Sequence, residues 1–249
     1  MQHFYTADYE GEVVINTTSW RDAHKEENRV WIPKTIINEP DNLTAHVIGN
    51  GTSRSNFDLN FLKGQAGGSE GVRSVGQSYG CNALYKDFNP TFLLCFNKFL
   101  IKDLVDSNYC EDNIVYSNMK NIKEYPNNFH LYPQYYNSPT GILAAHIAAA
   151  DGHQRIFLLG FDWYQTGKEN IYFDEDSNVY GTVPDVNAAN QKNIKTMISL
   201  INLYSEVEFI RVSTVNSAYY PEELNWCNNF RQISYSNYFS EAQLGAIAR

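Results

Sequence analysis

Five short blocks of small, amide and hydroxyl residues stand out along this 249-residue sequence, because three of them follow an apolar run directly. Four are Gly49 to Ser53 behind AHVI, Asn82 in the turn GCNALY, Asn97 behind TFLLCF, and Asp162 to Tyr164 behind IFLLG. The fifth, Ser138 to Gly141, sits ahead of an Ala-rich run. Amides and backbone groups read a base or ribose by hydrogen bonding, and helix N-termini hold phosphate without a lysine. Gathered together, these residues would make a neutral, hydrogen-bonding cleft suited to a nucleoside.

Each block has a plain structural reading beside the functional one. In GNGTS (Gly49, Asn50, Gly51, Thr52, Ser53), two glycines let backbone approach a ligand and expose N–H groups to an anion. The same residues also make an ordinary strand-to-helix turn. The block is no P-loop, since no GK[ST] follows, and no dinucleotide motif, since Arg54 replaces the third glycine. Ser138 or Thr140 is placed to cap the Ala-rich helix, with Pro139 in or just before its first turn. A capped helix start remains an anion site. Asp162 can orient a sugar hydroxyl, act as a base, or satisfy loop amides. Tyr164 and Tyr172 are either aromatic walls or phenols that donate to a departing phosphate.

Positioning these blocks requires alternating elements. From residue 45 onward the apolar pattern runs strand, helix, strand, helix, strand, helix, strand. AHVI, TFLLCFN, NIVYSNM, RIFLLGFDWY and VEFIRVS read as strands. KFLIKDLVDSN, the Ala-rich run ending at Gly152, and NQKNIKTMISLINLYSE read as helices, the last through Ile194, Met197, Ile198, Ile201 and Leu203 or Tyr204. That order predicts an α/β, Rossmann-like, largely parallel sheet flanked by helices, with ligands at the carboxyl ends of its strands. VVINTT and RVWIPKTII predict a hairpin-like pair in a β-rich N-terminal extension. Boundaries are expected at 1–40 for the extension, 41–215 for the core and 216–249 for a tail packed on it.

Other chemistries lack their residues. The six histidines are scattered without HxH or HExxH, no CxxC exists among four cysteines, and no GxSxG elbow appears, so no metal site is expected. His46 and His153 are read as lying just ahead of strands, and His146 as packed or on the surface. The acidic run DEDSN reads as a solvated loop. A net charge of −9 argues against a nucleic-acid partner. The start MQHFYTADYEGE is no signal peptide, and no apolar run approaches the ~20 residues of a membrane span. A cytoplasmic protein with reduced thiols is the expectation.

GNGTS, the Cys-Asn turn, Phe-Asn, FHLYPQYYNSPTG and GHQRIFLLGFDWYQTG occur in that order over residues 45–213. In this the sequence resembles the bacterial sialyltransferases of glycosyltransferase family 42. The resemblance implies a metal-independent transferase using a nucleotide-activated sugar of the CMP-sialic acid type and a glycan acceptor. No cofactor is implied beyond that donor, and a homo-oligomer is possible. By the same resemblance Asn50, Gly51 and Ser53 line the phosphate and ribose region, and Asn82 and Asn97 contact nucleotide and donor sugar. Thr140 and Gly141 stand beside the donor, and Asp162 reaches the nucleotide end. Tyr164 and Tyr172 match the tyrosines that assist phosphate departure. The family's general-base histidine has no counterpart in YGTVPDVNAANQKN, where Asp185 is the nearby titratable group. Two alternatives therefore stand beside the transferase: a catalytically silent nucleotide- or glycan-binding protein, and a pyrophosphokinase-like enzyme.

Overall fold

The computed structural model describes residues 12–14, 29–31, 43–63, 76–125, 127–132, 138–177, 179–214 and 220–247. Its strands are β1 (Glu12–Val14), β2 (Arg29–Trp31), β3 (Thr44–Ile48), β4 (Gln77–Cys81), β5 (Phe92–Leu94), β6 (Ile114–Ser117), β7 (His130–Leu131), β8 (Arg155–Leu159), β9 (Glu208–Val212) and β10 (Phe230–Ile233). Its helices are α1 (Lys98–Asp106), α2 (Tyr109–Asp112), α3 (Met119–Glu124), α4 (Thr140–Ala150), α5 (Val186–Leu203) and α6 (Tyr235–Ile247). They fall into a larger unit, residues 39–94 with 138–249, and a smaller unit, residues 1–38 with 95–137.

In the larger unit six strands run parallel in the order β10-β9-β8-β3-β4-β5. The α/β class predicted from the alternating pattern is therefore the observed one. The chain moves outward from β3 to β4 and β5, then returns to lay β8 along the other side of β3. The strand order thus reverses between β3 and β8, and Ile48 pairs with Leu159 at the end of that seam. A reversal of this kind leaves a crevice at the carboxyl ends of the two strands. All five residues of β3 are buried, as are the last four of β8, which is why β8 reads as a continuous apolar run.

Helix α4 packs on β3, β4, β5 and β8, and also touches α5. Its residues Ile142 to Ala149 are all buried, as expected of a helix apolar on every side. The small side chains of Ala144, Ala145 and Ala148, each fully buried, let it lie close to the sheet. Gly152, at φ 100°, ends it in the left-handed region glycine tolerates. Helix α5 is amphipathic and buries Ile194, Met197, Leu200 and Ile201. Leu203, expected on that stripe, is 61% exposed, and Leu200 takes the inward position.

One expectation is corrected here. His46 is not ahead of a strand but in the middle of β3, where its Nδ1 meets the Tyr238 hydroxyl at 2.7 Å and its ring stacks on Phe157. The C-terminal segment contributes regular elements. It adds β10 in parallel register to β9, with Phe230 opposite Phe209, and then α6, whose buried Tyr238 packs on Phe157. His153 does precede its strand, buried against the Tyr79 hydroxyl at 3.0 Å.

In the smaller unit β1 and β2 pair antiparallel, with Val13 opposite Val30, matching the expected N-terminal pair. Strands β6 and β7 are parallel, with Tyr116 opposite His130. Asparagine side chains start two of its helices: Asn97 Oδ1 accepts from the Phe99 N–H at 3.0 Å, and Asn118 Oδ1 from the Asn121 N–H at 3.0 Å.

Candidate functional site

The crevice at the β3–β8 reversal holds a cavity of about 170 Å³. Three segments build its floor: Gly49 to Gly51 behind β3, Cys81 and Asn82 behind β4, and Gly160 to Tyr164 behind β8. Pro139 to Ile142 at the start of α4, Glu169, Asn170 and Tyr180 from the long loop behind β8, and Asn193 and Met197 of α5 complete it. Among the sequence-predicted residues, Asn50, Gly51, Asn82, Thr140, Gly141, Asp162 and Tyr164 meet in this one cavity.

Of the two roles open to the glycines of the first loop, the structural one is observed. The Gly49 N–H donates to Leu159 O at 2.8 Å and the Gly51 N–H to Gly160 O at 2.9 Å. The Ser53 N–H donates to Asp162 Oδ2 at 2.7 Å. These donors are spent on β8 and its loop, so they do not cradle an anion. A Cβ at Gly49 would lie 2.6 Å from Gly160 O, and one at Gly51 2.5 Å from Asp162 Oδ2. Glycine is required because two backbones cross at the seam. Arg54, almost fully buried, locks the loop from behind through Nε to Gly49 O at 2.7 Å and a longer contact of Nη2 with Asn50 Oδ1 at 3.5 Å.

The open anion donor is the start of α4. Its N-cap position is Pro139, and no side chain caps it, so neither Ser138 nor Thr140 plays the expected capping role. The first N–H groups of a helix have no acceptors in a preceding turn; the Ile142 and Leu143 N–H groups reach Pro139 O at 2.9 and 3.1 Å, and Thr140 and Gly141 ahead of them are cavity-lining residues. The helix dipole adds positive potential at the same point.

Asp162 is committed to the structure around it. Besides the Ser53 N–H, its carboxylate faces Arg211 Nη2 at 3.6 Å, and the side chains are 6% and 0% exposed. Arg211 lies over the Trp163 ring, 4.4 Å from its centroid, and donates to Gln232 Oε1 at 2.9 Å. Burial pulls the Arg211 guanidinium down to about 10, and the Asp162 charge opposes that pull.

Tyr164 is pinned by Asn190, which accepts from its N–H at 2.9 Å and donates to its carbonyl at 2.7 Å. Burial, and then the Glu169 charge, raise its phenol above the ordinary value. Glu169 puts a second carboxylate on the cavity wall. Burial raises its carboxyl, but hydrogen bonds outweigh that and leave it lowered. The donors are Thr166 N at 2.6 Å, Thr166 Oγ1 at 2.8 Å, Gly167 N at 3.0 Å and Lys168 N at 3.1 Å. The cleft is therefore not uncharged as expected, although among the described residues no Lys, Arg or His lines it. Cys81 lies in the floor with its thiol pushed up to about 12 by burial, which the Arg54 charge only partly offsets. Asn82, at φ 52°, keeps a buried Oδ1 with no hydrogen-bond partner in the protein.

Other expected residues are not among those that line the cavity. Thr52 is exposed in a 3₁₀ turn, Ser53 reaches Asp162 only through its backbone, and Ser138 precedes α4. The Tyr172 hydroxyl donates to Asp87 Oδ2 at 2.6 Å and accepts from Arg54 Nη2 at 3.4 Å. Burial, then the Asp87 bond, raise that phenol. Asp185 is exposed and caps α5, accepting from the Ala188 N–H at 2.9 Å. Asn97 belongs to the smaller unit, where it caps α1.

Sequence reasoning missed Tyr180, Glu169, Asn170 and Asn193. Asn190 and Asn193 carry a legible signal, since with Met197 they continue the buried stripe of α5 as polar residues at helical spacing. Tyr180 has none, because a loop of this length has no periodicity to read. Among the described residues no group of His, Cys, Asp and Glu could hold a metal ion, and no helix is long and apolar enough to cross a membrane.

No protein-family model matches this sequence, and no curated protein matches it. Among solved structures, the monofunctional alpha-2,3-sialyltransferase Cst-I from Campylobacter jejuni is similar at 15% identity and a TM-score of 0.49. The likeness covers 87% of this chain and 98% of that one. At that identity and TM-score it carries no functional argument.

Proposed function

We propose that this protein is a glycosyltransferase-like enzyme that binds a nucleotide-activated sugar without a metal. The observation that carries the reading is the convergence of Asn50, Asn82, Thr140, Gly141 and Tyr164 on one cavity at the strand-order reversal. The uncapped start of α4 supplies N–H groups and dipole for a phosphate. Asn50, Asn82 and Asn193 supply amides for base, ribose or sugar hydroxyls. Tyr164 stands ready to donate a hydrogen bond as charge develops on the leaving phosphate. The collinear sequence blocks favour a cytidine monophosphate donor of the sialic acid type, with a glycan as acceptor.

A second reading, a nucleotide- or glycan-binding protein without turnover, is favoured by one feature. The two carboxylates among the described lining residues are engaged, Asp162 with Arg211 and Glu169 with four donors, and Asp185, outside the lining, caps α5. None is a free general base.

Calorimetric titration with CMP, CDP and UDP tests both readings at their common root. CMP is expected to bind at submillimolar concentration, and absence of binding by all three at millimolar concentration would overturn the transferase and the nucleotide-binding reading, leaving only a glycan binder. Consumption of CMP-sialic acid with release of CMP then separates enzyme from binder, and the enzyme reading fails if a protein that binds CMP leaves the donor intact.

A further inference from the structure

We propose that Arg54 is the countercharge for the ligand's phosphate, acting from behind the cavity floor. The inference rests on the nucleotide-sugar reading above and adds the positive charge that the lining lacks, since among the described residues no Lys, Arg or His lines the cavity.

Arg54 is 4% exposed. Its guanidinium meets neutral oxygens: Gly49 O at 2.7 Å from Nε, and Asn50 Oδ1 at 3.5 Å and the Tyr172 hydroxyl at 3.4 Å from Nη2. Among the described residues no carboxylate pairs with it. A buried charge held this way is costly unless something of opposite sign meets it. The acidic groups nearby are spent elsewhere. Asp162 faces Arg211, and Glu169 takes four donors from its own loop. Asp87 stands beyond the Tyr172 phenol on an exposed residue, where water weakens its field.

Gly49 and Asn50, the residues that Arg54 grips, are themselves in the floor, so the guanidinium lies one layer of chain behind the cavity. Its field reaches that layer. At Cys81, also in the floor, it offsets part of the rise that burial imposes on the thiol. Through protein a charge keeps more of its strength than through water. A phosphate at the start of α4 is thus drawn by the helix dipole and by Arg54 together, and on binding it brings the negative charge that Arg54 lacks.

Titrations with CMP and with cytidine separate a charge from a loop brace. In Arg54→Met, with the fold checked by circular dichroism, CMP affinity is expected to fall about 10- to 100-fold, the range for one charge acting through a single layer of protein at an effective dielectric of about 20. Cytidine affinity is expected to change less than about threefold, because cytidine carries no charge for Arg54 to meet. Arg54→Lys keeps the charge but loses the planar fork, and is expected to bind CMP within about fivefold of wild type. Should Arg54→Met not fold, Arg54→Gln, which can still donate to Gly49 O, takes its place with the same expectations. Equal losses for CMP and cytidine in the neutral variant overturn the proposal, since they mark a brace. CMP binding at the wild-type level in that variant, or an Arg54→Lys that loses CMP as fully as the neutral variant does, also overturns it. A wild-type protein that binds cytidine as tightly as CMP overturns the role of Arg54 and leaves a nucleoside site. One that binds neither overturns the nucleotide reading itself, and the role of Arg54 falls with it.

Discussion

Replacing Asp162 with asparagine would remove one charge and little else. The side-chain oxygen of asparagine can still accept the Ser53 N–H that now lies 2.7 Å from Oδ2. What is lost is the countercharge to Arg211, whose side chain is fully buried and whose Nη2 stands 3.6 Å from Oδ1. At that separation and an effective dielectric of about 20, the attraction is on the order of 4–5 kcal/mol. Leaving a buried partner uncompensated typically costs about 3–5 kcal/mol. Asp162→Asn is therefore expected to destabilise the fold by about 3–5 kcal/mol, which lowers Tm by roughly 6–20 °C for a chain of this size. Urea unfolding followed by tryptophan fluorescence reads this directly, because Trp163 stacks on the same guanidinium. Adding Arg211→Met to Asp162→Asn is expected to recover most of the loss, since an apolar side chain needs no countercharge. A loss below about 1 kcal/mol for Asp162→Asn, or no recovery in the double variant, would refute the view that Asp162 is held for Arg211.

Three further outcomes follow from the same geometry. Gly141→Ala places its Cβ at ordinary contact, 3.5 Å from Phe161 and 3.9 Å from Cys81 Sγ. Stability should therefore hold or rise by up to about 1 kcal/mol from helix propensity, while CMP binding weakens because the new methyl enters the cavity; thermal melts and titration read the two separately. Asn190→Ala leaves the Tyr164 N–H and carbonyl without partners and should cost about 2–4 kcal/mol in urea unfolding, together with weaker nucleotide binding. Burial holds the Cys81 thiol neutral up to about 12, against an ordinary 9.0. The unfolded chain gives up this proton first, so the contribution of Cys81 is intact below pH 9 and is lost as pH rises from 9 to 12. Cys81→Ala should flatten the fall of stability across that window, and the wild-type thiol should resist Ellman's reagent at pH 8.

Much of this fold was legible in the sequence because its signals are local. The apolar run of β8, the Ala-rich body of α4 and the stop at Gly152 each follow from side-chain chemistry alone. Strand β10 and helix α6 were not legible, since FRQI mixes apolar with polar residues and gains its place only by pairing with β9. The site was half legible for the same reason. Residues at strand ends and helix starts, such as Asn50, Asn82, Thr140 and Tyr164, can be found from the elements beside them. Tyr180 and Glu169 sit in a long loop whose path is set by tertiary hydrogen bonds, among them the Ile171 N–H to Asn50 O at 2.8 Å. The role of the glycines stays open in the sequence because a close backbone crossing and an anion cradle ask for the same residue.

We propose that the β3–β8 crevice seats a nucleotide with its phosphate at the start of α4. A crystal structure with CMP tests this most directly. The phosphate is expected within about 2.7–3.2 Å of the Thr140 and Gly141 N–H groups, with the nucleoside against Asn50 and Asn82. CMP bound elsewhere on the molecule, or seated with its phosphate turned away from α4, would contradict it.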